Sequence, residues 1–358
     1  MPFYTSMESF IHKWDKYARK DACPLTSKRD ILAWQEKARN TLSTLLFPHP
    51  EMLSSCSPDP EFLDSTDLGK GLKREHLTIR VEEDVRMSLY LFVPAGAGKH
   101  TPVYICPPGH DGGGKESVAG NREDPEITER IDHYHYDYAL SLARAGFVTI
   151  AFDCRGMGER REREVQSRTH ILEGSCYGIA HMAEPLGMTL LGLLVWDIER
   201  LIDYVESRSE WGEIRMLGFS GGGLQVLYVA AMDKRVKEAF VSGWFYGFKD
   251  SLLFLHTNCS CNYVPNLWLH FDVQDIGALI APRPLVIQSA RGDHLNGPRG
   301  MANVDEPYHD LETVYRMLGE EQHLQHSILE GEHHFGLEDM LPFISLAGKE
   351  TMETICKH

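Results

Sequence analysis

A chain of 358 residues with 42% hydrophobic and 25% charged side chains carries enough apolar material for a large core, and its length suits a wide α/β sheet with additions. Acidic residues outnumber basic ones 52 to 36, a formal net charge of −16 at pH 7, which argues against nucleic acid or an anionic membrane as partner. No stretch approaches the ~20 apolar residues that cross a bilayer, and the N-terminal "MPFYTSMESFIHKWDKYARKD" has no uninterrupted apolar run. The expectation is a cytoplasmic protein.

Residues 5–46 place apolar side chains at helical spacing (Phe10, Trp14, Tyr17; then Ile31, Trp34, Ala38, Leu42, Leu45), with Ser27 and Asp30 able to cap the second run. The Pro- and Ser-rich "FPHPEMLSSCSPDPEF" reads as a linker, so residues 1–70 are expected to form a helical extension and linker, and 71–358 the main domain. "REHLTIRVEED" and "VRMSLYLFVP" alternate as an edge hairpin with one wet face would. "PVYICPPG", "FVTIAFDCRG", "IRMLGFSGG", "VKEAFVSGW" and "RPLVIQSARGD" are continuous apolar runs, suited to parallel strands covered on both faces. Helical patterns separate them at "HYDYALSLARAG", "GMTLLGLLVWDIERLIDYVESR", "GGLQVLYVAAMD" and "EPYHDLETVYRMLGE". Strand and helix in alternation predict a doubly wound, mostly parallel α/β sheet, whose reactive groups belong at the carboxyl ends of its strands.

The stretch "RMLGFSGGGLQVLYVAAM" sets Ser220 between Gly218 and Gly222, after a strand and before a helix. In the G-x-S-x-G turn the residues two either side of the serine must be small, because the chain reverses so tightly that a Cβ would collide. The helix that follows aims its positive end, and the N–H of Gly221, at an oxyanion forming on a carbonyl that the serine attacks. A serine hydroxyl needs a base within hydrogen-bond reach, itself oriented by a carboxylate. Asp293 in "RPLVIQSARGDHLN" and His333 in "HSILEGEHHFG" each follow a strand. His333 opens its loop and is favoured as the base over His334, which begins the apolar return. The loop "CPPGHDGGGKE" can bring a second backbone donor, the N–H of His110, close to the oxyanion. For Asp293 the plain alternative is a turn-stabilising side chain.

Through "GFSGGG", "FDCRGMGER", "LIAPRPLVIQSARGD" and "LEGEHHF" the chain resembles α/β-hydrolases of the acetyl xylan esterase and dienelactone hydrolase type over about residues 70 to 345. The resemblance implies a cofactor-independent serine hydrolase, often a homo-oligomer, acting on a small-molecule ester. Two departures stand out: Pro108-Gly109 replaces the usual His-Gly before the oxyanion residue, and "GER" after Asp153 leaves Arg155 and Arg160 either to shape the pocket or, the favoured reading, to brace that turn.

The segment 161–187, "REREVQSRTHILEGSCYGIAHMAEPLG", reads as a lid-like insertion. Trp244, Phe245, Tyr246 and Trp268 suit either the core or a substrate pocket, where their bulk would favour short acyl groups such as acetyl. The eight cysteines are scattered and several sit in apolar runs, as buried thiols do. Cys259 and Cys261 lack a second pair nearby in sequence, and His133 and His135 lack an acidic partner at ligand spacing, so no metal is expected. Two other readings stay open: the same residues cleaving an amide or carbon–carbon bond, and a non-catalytic hydrolase-like binding protein.

Overall fold

The computed structural model describes residues 4–111, 113–163 and 171–337. Nine strands form one sheet in the order β1-β2-β3-β5-β4-β6-β7-β8-β9. They are β1 (Glu61–Asp67), β2 (Leu72–Glu82), β3 (Val85–Pro94), β4 (Val103–Cys106), β5 (Val148–Phe152), β6 (Ile214–Phe219), β7 (Val236–Ser242), β8 (Leu285–Ala290) and β9 (Leu324–Leu329). The first three run antiparallel to their neighbours, and the strands from β5 to β9 are mutually parallel.

Alternate side chains of each central strand enter opposite cores, as the two-residue period of a strand requires. Ile105, Ile150, Met216, Val241 and Ile287 join the core beneath the helices Lys28–Leu46, Leu190–Arg208 and Gly221–Met232. Tyr104, Ala151, Leu217, Phe240 and Val286 join the smaller core under Pro125–Tyr134 and Tyr138–Arg144. Both faces are therefore dry, which explains why these strands read as continuous apolar runs.

Two features differ from the reading of the sequence. Strand β3 is buried along its middle, Met87 to Phe92, because it lies between β2 and β5 and is no part of a half-wet edge hairpin. The edge is β1, inside the stretch read as extension and linker. Its residues are almost all exposed and it is joined to β2 through antiparallel backbone pairing, so it carries no hydrophobic signal.

The helix Lys28–Leu46 is capped by Ser27, whose side chain accepts from the Asp30 N–H at 3.2 Å. It buries Ile31, Ala38, Leu42 and Leu46 in the larger core. Gln35 donates to the carbonyls of Ala278 and Ala281, and Arg39 to those of Ala231 and Leu279. Residues 28–46 thus share the core of the sheet. Among the described residues no single helix is long and apolar enough to cross a membrane. Residues 164–170 of the lid-like insertion and Cys356 lie outside the described residues.

Candidate active site

Ser220 caps the helix Gly221–Met232 directly after β6, at φ 56° and ψ −123°. A serine is held in that disfavoured conformation only when its surroundings over-determine it. The Ser220 N–H donates to the Ser242 carbonyl at 2.8 Å, and the Ser220 carbonyl accepts from the Leu224 N–H. A Cβ on Gly218 would stand 2.5 Å from the Gly222 carbonyl, and one on Gly222 would stand 2.4 Å from the Pro107 carbonyl. The small residues demanded on both sides of the serine are accounted for by these approaches.

Asp293 is 4% exposed, just beyond β8. One carboxylate oxygen accepts from the Leu295 N–H at 2.8 Å and pins the turn; the other meets His333 Nδ1 at 2.5 Å. The turn-stabilising role and the pairing with His333 therefore coexist in one side chain. The His333 ring packs on that of Phe219, the residue before Ser220, with centroids 4.5 Å apart, and Tyr134 flanks it at 6.1 Å. His334 turns away: its Nδ1 meets the Glu332 carbonyl and its ring packs against His135.

Facing the elbow is the loop that follows β4. Pro107 and Pro108 have no N–H, so Gly109 and His110 supply the loop's first backbone donors. The loop's carbonyls are anchored elsewhere. The Tyr138 hydroxyl donates to Pro107 and the Tyr136 hydroxyl to His110, each at 2.5 Å, and Gln225 Nε2 donates to Pro108 at 3.2 Å. Gly221 is the first residue of its helix, so its N–H has no intrahelical acceptor. The His110 imidazole lies over it, with Nδ1 2.5 Å from where a Gly221 Cβ would be.

The far end of this loop is tied down by a buried ion pair that the sequence offered no sign of. Lys115 Nζ lies 2.8 Å from Asp153 Oδ2 and its backbone N–H donates to Oδ1 at 2.8 Å, with both residues fully buried. Burial alone would lower the Lys115 pKa, but Asp153, Glu116 and Glu159 lift it above its usual range. The next turn is braced as expected: Arg155 pairs with Asp197 and Glu82, and Arg160 with Asp197 at 2.8 Å.

A cavity of about 290 Å³ opens beside His110, lined among others by Asp111, Met157, Ile171, Leu172, Tyr177 and Asn258. None of the four aromatic residues offered for the pocket lines this cavity. Trp244, Phe245 and Tyr246 are at most 3% exposed and sit in the larger core. There the Trp244 indole N–H donates to Asn262, while Trp268 packs on Trp14 and Tyr263. The stretch after β7 turns these rings into the core, and its later residues, Asn258 to Ser260, reach the cavity instead.

Against the same wall stands a group of sulfur and nitrogen atoms from distant parts of the chain. His110 Nε2 lies 3.4 Å from Cys261 Sγ, and the ligating atoms of His110, Cys259 and Cys261 are all within 4.8 Å of one another. Cys176 joins them beside Cys259. Hydrogen bonding from Cys176 and Cys261, with the His110 ring nearby, holds the Cys259 thiol far below its ordinary range, while Cys176 and Cys261 are pushed up. Cys-x-Cys in the sequence was the one trace of this group; its other members are more than 80 residues away.

A mostly parallel sheet with a serine on a strained strand-to-helix turn, and an aspartate and a histidine meeting beyond two later strands, defines the α/β-hydrolase class. Residues 8–248 match the Abhydrolase family, and the chain belongs to it. It is 25% identical over 256 residues to YtaP of Bacillus subtilis (strain 168), a protein provisionally named a hydrolase, covering 68% of this chain and 81% of the relative. Among solved structures it superposes on a provisionally assigned acetyl xylan esterase from Bacteroides fragilis NCTC 9343 with a TM-score of 0.74 and 17% identity, covering 91% of this chain and 83% of the other. A glucuronoyl esterase from Solibacter usitatus gives a TM-score of 0.63 at 17% identity, with 96% of each chain covered. At these identities the likeness to solved structures establishes the shared fold.

Proposed function

We propose that the protein is a serine esterase that cleaves short acyl, acetyl-type esters through an acyl-enzyme. The observation that carries this reading is the Asp293–His333 contact at 2.5 Å, made by a histidine whose ring is stacked on the neighbour of Ser220. Ser220 Oγ attacks the ester carbonyl while His333 Nε2 takes its proton, and Asp293 holds the imidazole by Nδ1 and stabilises the imidazolium that forms. The carbonyl oxygen becomes an oxyanion that accepts from the N–H groups of Gly221 and His110. Collapse expels the alcohol, which takes the proton back from His333. A water activated by the same histidine then releases the acid.

Small size and charge favour a short, neutral acyl group. The cavity, at about 290 Å³, lies at the lower end of small-molecule pockets, roughly 300 to 1,000 Å³. Among its described lining residues the carboxylates are Asp111 and Glu173, with no lysine or arginine beside them. Such a wall repels an anionic acyl group, which favours an acetyl ester over a substrate that presents a free uronate. Specificity constants for nitrophenyl acetate, butyrate and octanoate test the reading. Acetate is expected to lead, since each methylene that a small pocket cannot take costs about 1 to 3 kcal/mol. Octanoate as the best of the three would overturn the size argument. Failure of the protein to react with a fluorophosphonate probe at Ser220 would overturn the serine mechanism, and turnover of anilides but not esters would move the activity to amides.

A further inference from the structure

Four side chains that the hydrolytic chemistry does not use converge on the cavity wall. His110 comes from the loop after β4, Cys176 opens the helix Cys176–Ala183, and Cys259 and Cys261 lie in the segment after β7. We propose that His110, Cys259 and Cys261, with Cys176 as the fourth ligand, form a binding site for a soft divalent cation of the zinc class.

Geometry carries the assignment. A tetrahedral zinc with bonds of about 2.3 Å to sulfur and about 2.0 Å to nitrogen separates its ligand atoms by about 3.5 to 3.8 Å. His110 Nε2 and Cys261 Sγ stand 3.4 Å apart, and the ligand atoms of His110, Cys259 and Cys261 all fall within 4.8 Å. Small rotations about side-chain bonds close that gap. Cys261 is 2% and Cys176 7% exposed, while Cys259 and His110 are half-buried on the cavity wall, through which an ion can reach the group. Thiolate and imidazole together select zinc and its soft congeners over magnesium or calcium, which prefer oxygen.

Packing alone accounts poorly for the group. A buried free cysteine behaves as a small apolar side chain with a weak S–H donor, so packing and one S–H···N contact account for a pair but not for several thiols gathered beside one imidazole. Here two thiols and one imidazole nitrogen from two distant chain segments lie within 4.8 Å of one another, and a third thiol, Cys176, stands beside Cys259. Binding is a simple exchange: the cation enters, the coordinating thiols release their protons to solvent, and no electron is transferred.

The position gives the site a consequence. His110 reaches from Gly221, over which its ring lies, to the thiols, so a bound ion would fasten the loop after β4 to the helix Cys176–Ala183 and to the segment after β7. With Cys176 drawn in as the fourth ligand the ion would be structural. This assignment does not depend on the esterase reading.

Metal analysis of the full-length protein, reduced, stripped with a chelator and reloaded with Zn²⁺, tests it. One equivalent per chain is expected, with a rise in melting temperature that Mg²⁺ does not give. Co²⁺ in its place should show thiolate-to-cobalt charge transfer and the strong visible bands of a tetrahedral ion, a readout that needs no variant. Cys259→Ser and Cys261→Ser should each weaken binding about 10-fold or more, whereas Cys56→Ser, in the linker away from the site, should bind as the parent does. Substoichiometric Zn²⁺, a weak octahedral cobalt spectrum, or unchanged affinity in Cys261→Ser would overturn the assignment. So would a Cys176–Cys259 disulfide, found by peptide mapping after gentle oxidation, in protein that takes up no zinc when reduced.

Discussion

The two sides of Ser220 are held in place by different means. On the Asp293 and His333 side the sheet does the positioning: Ala290 and Leu329 are partners in the β8–β9 ladder, and the chain needs three residues beyond one and four beyond the other to bring the pair together. On the His110 side no ladder reaches the loop. Its carbonyls hang on the hydroxyls of Tyr136 and Tyr138 and on Gln225, and its far end on the buried Lys115–Asp153 pair. Backbone pairing resists a single substitution, whereas a loop held by side chains can be released by one. The difference predicts that variants on the first side abolish chemistry in a stable protein, and that variants on the second damage stability and chemistry together.

The largest effect should come from Ser220→Ala, which is expected to lower kcat by about 10⁶ while leaving the fold intact. Circular dichroism beside an ester assay checks both halves, and near-parental turnover in a folded Ser220→Ala protein would remove the first side from catalysis. Asp293→Asn should follow with a loss of about 10⁴, the figure for a serine protease triad whose histidine is left in the wrong tautomer. His333→Ala should instead match Ser220→Ala, because every proton transfer passes through its ring, and His334→Ala should stay within a few-fold of the parent because its ring faces His135. The opposite result for the two histidines would shift the base to His334.

The second side is probed by Lys115→Met. Removing one partner of a buried ion pair leaves an uncompensated charge, so about 3 to 5 kcal/mol of stability should be lost. Neutralising both partners, as Lys115→Met with Asp153→Asn, removes the charge and keeps an oxygen for the Lys115 N–H, so it should recover much of it. Urea unfolding measures the loss, and equal stability of the single and double variants would mean that the pair does not hold the loop as argued.

A control remote from both sides is Glu199, in the helix Leu190–Arg208. Burial, with Asp233 adding to it, pushes its carboxyl up from the usual 4.5 to about 7. A raised folded-state value means that stability is fully present below pH 4.5 and is lost as pH rises through 7. Glu199→Gln should therefore be more stable than the parent at pH 8, by on the order of 1 kcal/mol, and no more stable at pH 4. Melting curves at the two pH values decide it, and activity should not change.

How far the amino-acid sequence determines this protein follows from the range of each signal. The elbow is local: Gly218, Ser220 and Gly222 lie within five residues, and the steric demand that selects them acts between close neighbours in the chain. Parallel strands buried on both faces announce themselves as apolar runs, and because reactive groups leave such strands at their carboxyl ends, Ser220, Asp293 and His333 stand out in order as the proposed triad. Strand β1 could not, since backbone hydrogen bonds to β2 hold it and its side chains stay in water. Nor could the use of "GWFYGF", because aromatic bulk suits a core and a pocket equally, and only the packed chain decides which way Trp244 and Tyr246 face. The Lys115–Asp153 pair spans 38 residues, and the meeting of His110 with Cys261 spans 151. No periodicity or turn chemistry reaches across such separations; those contacts exist because strands β4 and β5 and the segment after β7 deliver their following loops to one end of the sheet.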